Sequence, residues 1–275
     1  MNGKRIFITG GASGLGRALA ERYARAGWRV CIGDIHEARG AETVAALGPD
    51  AQFVHCDVTR DEDLTAAAAW LERHWGGVDI VVNNAGVAIG GTIDEISLDD
   101  WKWIVDINLL GVVRGAKAFT PLLRRQRSGR IVNVASMAGL IHPPIMTAYC
   151  ATKAAVVAIS ESLKLELAPD GVDVSVVCPG FFRTNLTETM RSGSADAERV
   201  TRRLVERAKL GAPEIADRVF RSLARGDFYV LTHPDGRVAW MVKRLVAAPV
   251  YFAFMQRMTK QMMSRRTPPA AVEPG

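Results

Sequence analysis

The sequence predicts one α/β domain built on a doubly wound, parallel sheet of about seven strands flanked by helices. Three observations point there. Val/Ile-rich runs, near-continuous as in strands covered on both faces, alternate with segments of helical period along the chain. A glycine-rich turn joins the first such run to the first helical segment. No internal repeat and no linker divides the 275 residues.

Strands are expected at 5–9, 28–33, 52–56, 79–82, 130–135, 172–178 and 228–231. Helical periodicity falls at 14–26, 37–46, 61–75, 97–126, 146–168 and 213–225. Residues 181–200, polar and rich in Ser and Thr after two aromatics, read as a long loop with a short helix, a pattern that suits a lid. Residues 1–235 form the main domain, and 236–275 a C-terminal extension rather than an independent domain.

A chain that is 48% apolar and 23% charged is neither disordered nor fibrous. At this size it can bury roughly three quarters of its unfolded surface without metals or disulfides. The four cysteines, Cys31, Cys56, Cys150 and Cys178, lack metal-type spacing, so no metal site is expected. They read as reduced, buried thiols of a cytoplasmic protein. No secretory signal is evident. The net charge of +6 belongs wholly to residues 236–275, which hold seven cations and only Glu273 as an acid. The neutral body argues against a nucleic-acid partner.

The turn Thr9-Gly10-Gly11-Ala12-Ser13-Gly14-Leu15-Gly16 opens the first helix. Its glycines let backbone N–H groups approach a diphosphate, and the helix N-terminus adds partial positive charge. A tight turn is the bland alternative, but strand-then-helix placement favours dinucleotide binding, with Gly10, Ser13, Gly14, Leu15 and Gly16 as the candidate contacts. Asp34, followed by Ile35, ends the second strand. A carboxylate there suits both adenosine ribose hydroxyls and repels a 2′-phosphate, which favours NAD over NADP; a helix N-cap is the other reading. Asp57 and the Val58 backbone follow the third strand and could meet the adenine amino group, or Asp57 could cap a helix. Asn83-Asn84-Ala85-Gly86 ends the fourth strand, as a small-residue floor beneath the cofactor or as an ordinary turn.

Tyr149 and Lys153 share one helix face at i,i+4, near the sheet edge that carries Ser136. A free phenol titrates near ~10. An ammonium at ~4 Å, at an effective dielectric of ~20, contributes about 4 kcal/mol, enough to bring the phenol toward neutrality. Ser136 can then hold a substrate oxygen against Tyr149. Each residue also has an ordinary reading: a strand end, a core aromatic and a solvated helix face.

TGGASGLG at 9–16, Asp57, NNAG at 83–86, Asn108, Ser136, YCATK at 149–153 and PGFFRT at 179–184 occur in order over residues 4 to 231. Together they resemble the short-chain dehydrogenase/reductase family. The resemblance implies a Rossmann-type domain and a catalytic set of Asn108, Ser136, Tyr149 and Lys153. Asn108 would hold a helix kink and a water linking Lys153 to solvent, and Lys153 would also grip the nicotinamide ribose. Cofactor contacts are implied at Asn84, Ala85, Gly86, Pro179, Gly180, Phe182 and Thr184, with hydride transfer on the pro-S face. A homo-oligomer, dimer or tetramer, is also implied.

The reaction expected is NAD(H)-dependent interconversion of a hydrophobic secondary alcohol and its ketone, with Tyr149 as acid/base. Phe181, Phe182, Met137, Ile141, Met146 and Met190 are candidates for an apolar pocket, and His142 for a substrate contact. The alternatives are an NADPH-dependent carbonyl or 3-oxoacyl reductase and a non-enzymatic NAD-sensing regulator. In the extension, Pro249 is expected to split two segments. After it, Tyr251, Phe254, Met255, Met258 and Met262 recur at helical spacing opposite Gln256, Arg257, Lys260 and Gln261. This basic amphipathic pattern suits packing on the body, on a sister subunit or, peripherally, on a membrane surface.

Overall fold

The computed structural model describes residues 3–263. The side chains of Met258 and Met262 fall outside the described set, as do residues Arg265, Arg266 and Glu273 of the extension. The elements run in the order β1 Arg5–Thr9, α1 Gly14–Ala24, β2 Arg29–Asp34, α2 Glu37–Leu47, β3 Ala51–His55, α3 Asp61–Trp75, β4 Ile80–Asn83 and β5 Ile89–Gly90. They continue through α4 Leu98–Val105, a π-turn at Asp106–Leu110, α5 Gly111–Gln126, β6 Arg130–Val134, α6 Ala138–Ile141, α7 Thr147–Leu167 and β7 Asp173–Cys178. The last are β8 Arg191–Ser192, α8 Ala195–Glu206, α9 Ala212–Ala224, β9 Tyr229–Leu231, α10 Pro234–Leu245 and α11 Ala248–Met263.

Seven strands form one parallel sheet in the order β3-β2-β1-β4-β6-β7-β9. The order reverses between β1 and β4, which opens a crevice at their carboxyl ends. β5 and β8 make a separate two-stranded pair, Ile89 opposite Arg191. The central strands are buried on both faces because their residues are apolar in succession: Ile6, Phe7 and Ile8 are all fully buried. One face packs on α1 and α9 through Leu19, Tyr23, Ile215 and Val219. The other packs on α3 and α5 through Leu64, Leu71, Phe119 and Leu123. Phe7 of β1 stacks on Phe119 of α5 with centroids 5.0 Å apart.

Three departures from the sequence reading bear on the site. The helical stretch expected over 97–126 is broken by the π-turn around Asn108. The loop expected over 181–200 carries β8 and then α8, whose helix runs on to Glu206 from the Ser194 cap; the Ser194 hydroxyl accepts the Ala197 N–H. Pro249 does divide the extension, but as the second residue of α11, where its missing N–H costs nothing.

Candidate active site

The glycine-rich turn lies at the carboxyl end of β1. Gly10 and Gly14 have φ of +64° and +52°, a backbone that L side chains rarely adopt. A Cβ on Gly14 would stand 2.8 Å from Thr184 Oγ1, so the segment after β7 closes directly over the turn. The Ser13 hydroxyl makes no cap bond, and the first turn of α1 contains no acid. Its N–H groups therefore face the crevice free to bind an anion. Asn84 ties the turn to β4 by donating from Nδ2 to the carbonyls of Thr9 (2.9 Å) and Gly10 (3.2 Å). Thr9 Oγ1 accepts the N–H groups of Asn84 and Ala85.

Asp34 is buried and fixed. One carboxylate oxygen accepts the Ala12 N–H at 3.0 Å and the other the His36 N–H at 3.0 Å. It thus anchors the glycine-rich turn, while α2 takes His36 as its N-cap. Each oxygen keeps a further lone pair for a ribose hydroxyl. Ile35 beside it is half exposed toward solvent. Asp57 does not cap α3, whose N-cap is Arg60. Asp57 Oδ1 accepts both the N–H and the hydroxyl of Thr59, a local Asx turn, while Val58 is buried next to Gly111. Glycine cradles that a Cβ would fill, an open helix N-terminus and a fixed carboxylate 22 residues after Ala12 together fit a dinucleotide.

Deeper in the crevice, α7 brings Tyr149 and Lys153 beside Ser136, which follows β6. Ser136 accepts the Ala138 N–H at 3.1 Å and sits 3.4 Å from the Pro179 carbonyl, and its hydroxyl is close enough to Tyr149 to favour the phenolate. Lys153 is buried, donates to the Val134 carbonyl at 2.9 Å and has its Nζ 5.8 Å from the Tyr149 ring centroid. A Cβ on Gly86 would lie 3.0 Å from Asn108 Oδ1 and 3.4 Å from Lys153 Nζ, so the NNAG turn seats directly on this cluster. Asn108, fully buried in the π-turn, pairs with the Val87 backbone as a strand would. Its Oδ1 accepts the Val87 N–H at 2.8 Å, and its Nδ2 donates to the Val87 carbonyl at 2.9 Å.

The electrostatics differ from the expectation. Burial pushes Tyr149 up to about 12, against a smaller downward pull from Ser136. Burial likewise holds Lys153 down to about 8. Desolvation is the largest cause for both groups, and the Lys153 ammonium donates to the Val134 carbonyl.

Among the pocket candidates, Met137 and Met146 are buried, Phe181 is 40% exposed, and Phe182 packs into the layer of α1 and α9. Both ring nitrogens of His142 are engaged within the chain, Nδ1 at 2.8 Å from Lys243 Nζ and Nε2 at 3.1 Å from the Gly139 carbonyl. Two features were missed by sequence reasoning. His233, after β9, accepts the Gly180 N–H on Nδ1 at 3.0 Å and places Nε2 3.2 Å from the Phe181 carbonyl, fixing the segment that covers the crevice. Lys243 and Tyr251 of the extension donate to the carbonyls of Leu140 (2.6 Å) and Ile141 (2.7 Å), bracing the segment after Ser136. The only advance signal for His233 was its position just past a strand end.

Residues 4–195 match the family model described as short chain dehydrogenase. A CLA biosynthesis dehydrogenase/reductase from Lactiplantibacillus plantarum is 33% identical over 267 residues, 88% of this chain and 93% of the relative. A 3-alpha-(or 20-beta)-hydroxysteroid dehydrogenase from Mycobacterium bovis is 36% identical over 68% of this chain and 72% of its own length. Among solved structures, a short chain dehydrogenase/reductase from Burkholderia phymatum in complex with NAD superposes with a TM-score of 0.81 at 32% identity, covering 99% of both chains. With the sheet order, the glycine-rich turn and these likenesses in agreement, the chain belongs to the short-chain dehydrogenase/reductase family and is an oxidoreductase acting on CH–OH groups.

Proposed function

We propose that this chain interconverts a hydrophobic secondary alcohol and its ketone, using NAD(H), with Tyr149 as the acid/base. One observation carries the reading: Ser136, Tyr149 and Lys153 converge at the same sheet edge as the open N-terminus of α1. Gly10, Ser13, Gly14, Leu15 and Gly16 would hold the diphosphate, Asp34 and Ile35 the adenosine, and Asp57 and Val58 the adenine edge. Asn84, Ala85, Gly86, Pro179, Gly180, Phe182 and Thr184 would enclose the nicotinamide end. Bound there, the nicotinamide supplies or accepts hydride.

In the reducing direction Tyr149 donates its proton to the substrate oxygen, which Ser136 holds by a second hydrogen bond. A phenol held at about 12 stays protonated at neutral pH and is ready to act as acid. In the oxidising direction Tyr149 must first pass its own proton on, to a neutral Lys153 amine or along the relay, and its phenolate oxygen then takes the alcohol proton. Lys153, at about 8, is then near the ambient pH and suited to exchange that proton onward. Asn108 supports the relay by fixing the backbone beside Lys153. Support for an apolar substrate comes from Met146, which packs with Ala138 and Tyr149, and from the mycobacterial relative, named for a hydroxysteroid.

Turnover of lipophilic secondary alcohols by wild type and Tyr149→Phe tests the chemistry. Loss of about 10²–10⁴-fold in rate with unchanged NAD affinity is expected; comparable rates remove Tyr149 from the reaction. The cofactor choice is tested by the ratio of NADH to NADPH affinity. Wild type should favour NADH, and Asp34→Ala should move the ratio toward NADPH by about tenfold or more. An unmoved ratio rules out Asp34 as the discriminator.

A further inference from the structure

We infer that the outer faces of α10 and α11 form a docking surface for an anionic lipid bilayer. α10 has two opposed stripes. Gly236, Ala239, Trp240 and Lys243 face inward: Gly236 lies against Met137, Trp240 meets Tyr229 with ring centroids 4.8 Å apart, and Lys243 bonds the Leu140 carbonyl. At about 100° per residue, Val238, Met241, Val242 and Leu245 fall on the opposite side. Their exposures are 61%, 48%, 40% and 81%. On α11 Tyr251 is turned inward at 8% exposure, while Val250 and Phe252 on its two flanks and Phe254 one turn further on stand 55–61% exposed. Seven large apolar side chains on two consecutive helices are more than the scatter of a monomer surface.

Charge decides between occupants. From residue 236 to residue 263 the sequence has five cations and no Asp or Glu. Lys243 is spent inward, and Arg237, Arg244, Arg257 and Lys260 are exposed. A second copy docked by this face about a twofold axis would set these four cations against their own images, with Asp235 at the start of α10 as the one acid on the face to pair them. A bilayer with anionic headgroups takes both features at once: the apolar stripe enters the acyl boundary and the cations meet phosphates. No helix among the described residues is long and apolar enough to cross a membrane, so the helices lie on the surface. The inference stands apart from the proposed reaction, since nothing in it uses the catalytic groups.

Flotation of the full chain with vesicles of phosphatidylcholine plus phosphatidylglycerol, and with phosphatidylcholine alone, tests it. Wild type should float with the anionic vesicles, at least about tenfold less with the neutral ones, and less as salt rises. The double variant Val242→Glu/Leu245→Glu, at exposed positions, should cut binding by about tenfold or more while keeping the wild-type melting temperature and NAD affinity. Arg237→Glu/Arg244→Glu should do the same by charge. Failure of wild type to float with anionic vesicles at low salt overturns the inference, as does equal flotation of the variants. Light scattering that shows Val242→Glu/Leu245→Glu splitting an oligomer into smaller species assigns the face to a second copy and overturns it too.

Discussion

Gly14→Ala offers the sharpest test of the phosphate cradle. The substitution adds one methyl group at a residue with φ +52°. Holding an L residue in that region costs about 1–2 kcal/mol. The new Cβ would also sit 2.8 Å from Thr184 Oγ1, closer than carbon and oxygen tolerate, so Thr184 must yield by about half an ångström at a cost of about 1 kcal/mol. If the turn relaxes instead, the first-turn N–H groups of α1 lose their convergence on the crevice. The strain reaches affinity because NAD binding must restore a turn that relaxes, or a Thr184 that moves, in the free chain; up to about 2–3 kcal/mol is thereby withdrawn from NAD binding, raising its Kd by up to about 30–150-fold. Calorimetric titration with NAD reads this directly. A double-mutant cycle with Thr184→Ala separates the parts: the contact term disappears in the Thr184→Ala background and the backbone term stays. Gly14→Ala should therefore cost about 1 kcal/mol less there. An affinity within about twofold of wild type, or strict additivity across the cycle, refutes the cradle as described.

Two further outcomes concern titration. His233 must be neutral to accept the Gly180 N–H, and burial lowers its pKa. A depressed folded value means the unfolded chain binds the proton more tightly, so the stabilisation is present above the ordinary value of 6.5 and lost as pH falls through the folded one. Melts at about pH 7.5 and 5.5 should show wild type losing up to about 1 kcal/mol that His233→Asn, with a permanent acceptor, does not lose. Equal losses in the two proteins exclude this role. For Lys153, held at about 8 against 10.5, the same sign applies at higher pH. Wild type should gain roughly 3 kcal/mol relative to Lys153→Met as pH rises from about 8 to 10.5, read by urea unfolding; a constant difference would show that the ammonium is not buried as found.

Much of this molecule was legible in its residues. The alternation of Val/Ile runs with helical period located all seven strands of the main sheet to within a residue or so at their ends, because burial on both faces leaves little choice of residue. The turn at 9–16 and the Tyr149–Lys153 spacing placed the crevice, since glycine and helix periodicity act locally. The upward push of burial on Tyr149 was not legible, because Coulomb attraction can be estimated from spacing whereas desolvation depends on everything packed around the pair. His233 and Lys243 escaped notice, and Tyr251 was placed on the packing stripe without its partner, because each acts across the fold on a backbone group, Lys243 and Tyr251 more than 100 residues away, and nothing in their neighbours marks that partner. Asn108 was reached only through family resemblance: the composition of 97–126 gives no hint of the π-turn that orients it.

The consecutive helices α10 and α11 give the fold an exchangeable part. Their inner contacts fall on Met137, His142, Tyr229 and the carbonyls of Leu140 and Ile141, whereas the glycine-rich turn is tied to Asp34. A chimera carrying a relative's residues in place of 234–263 would remodel the neighbourhood of Ser136 and leave the nucleotide half untouched. Diversification of substrate range can therefore proceed at the C-terminus, free of the constraint that coenzyme recognition would impose on the glycine-rich turn and on Asp34.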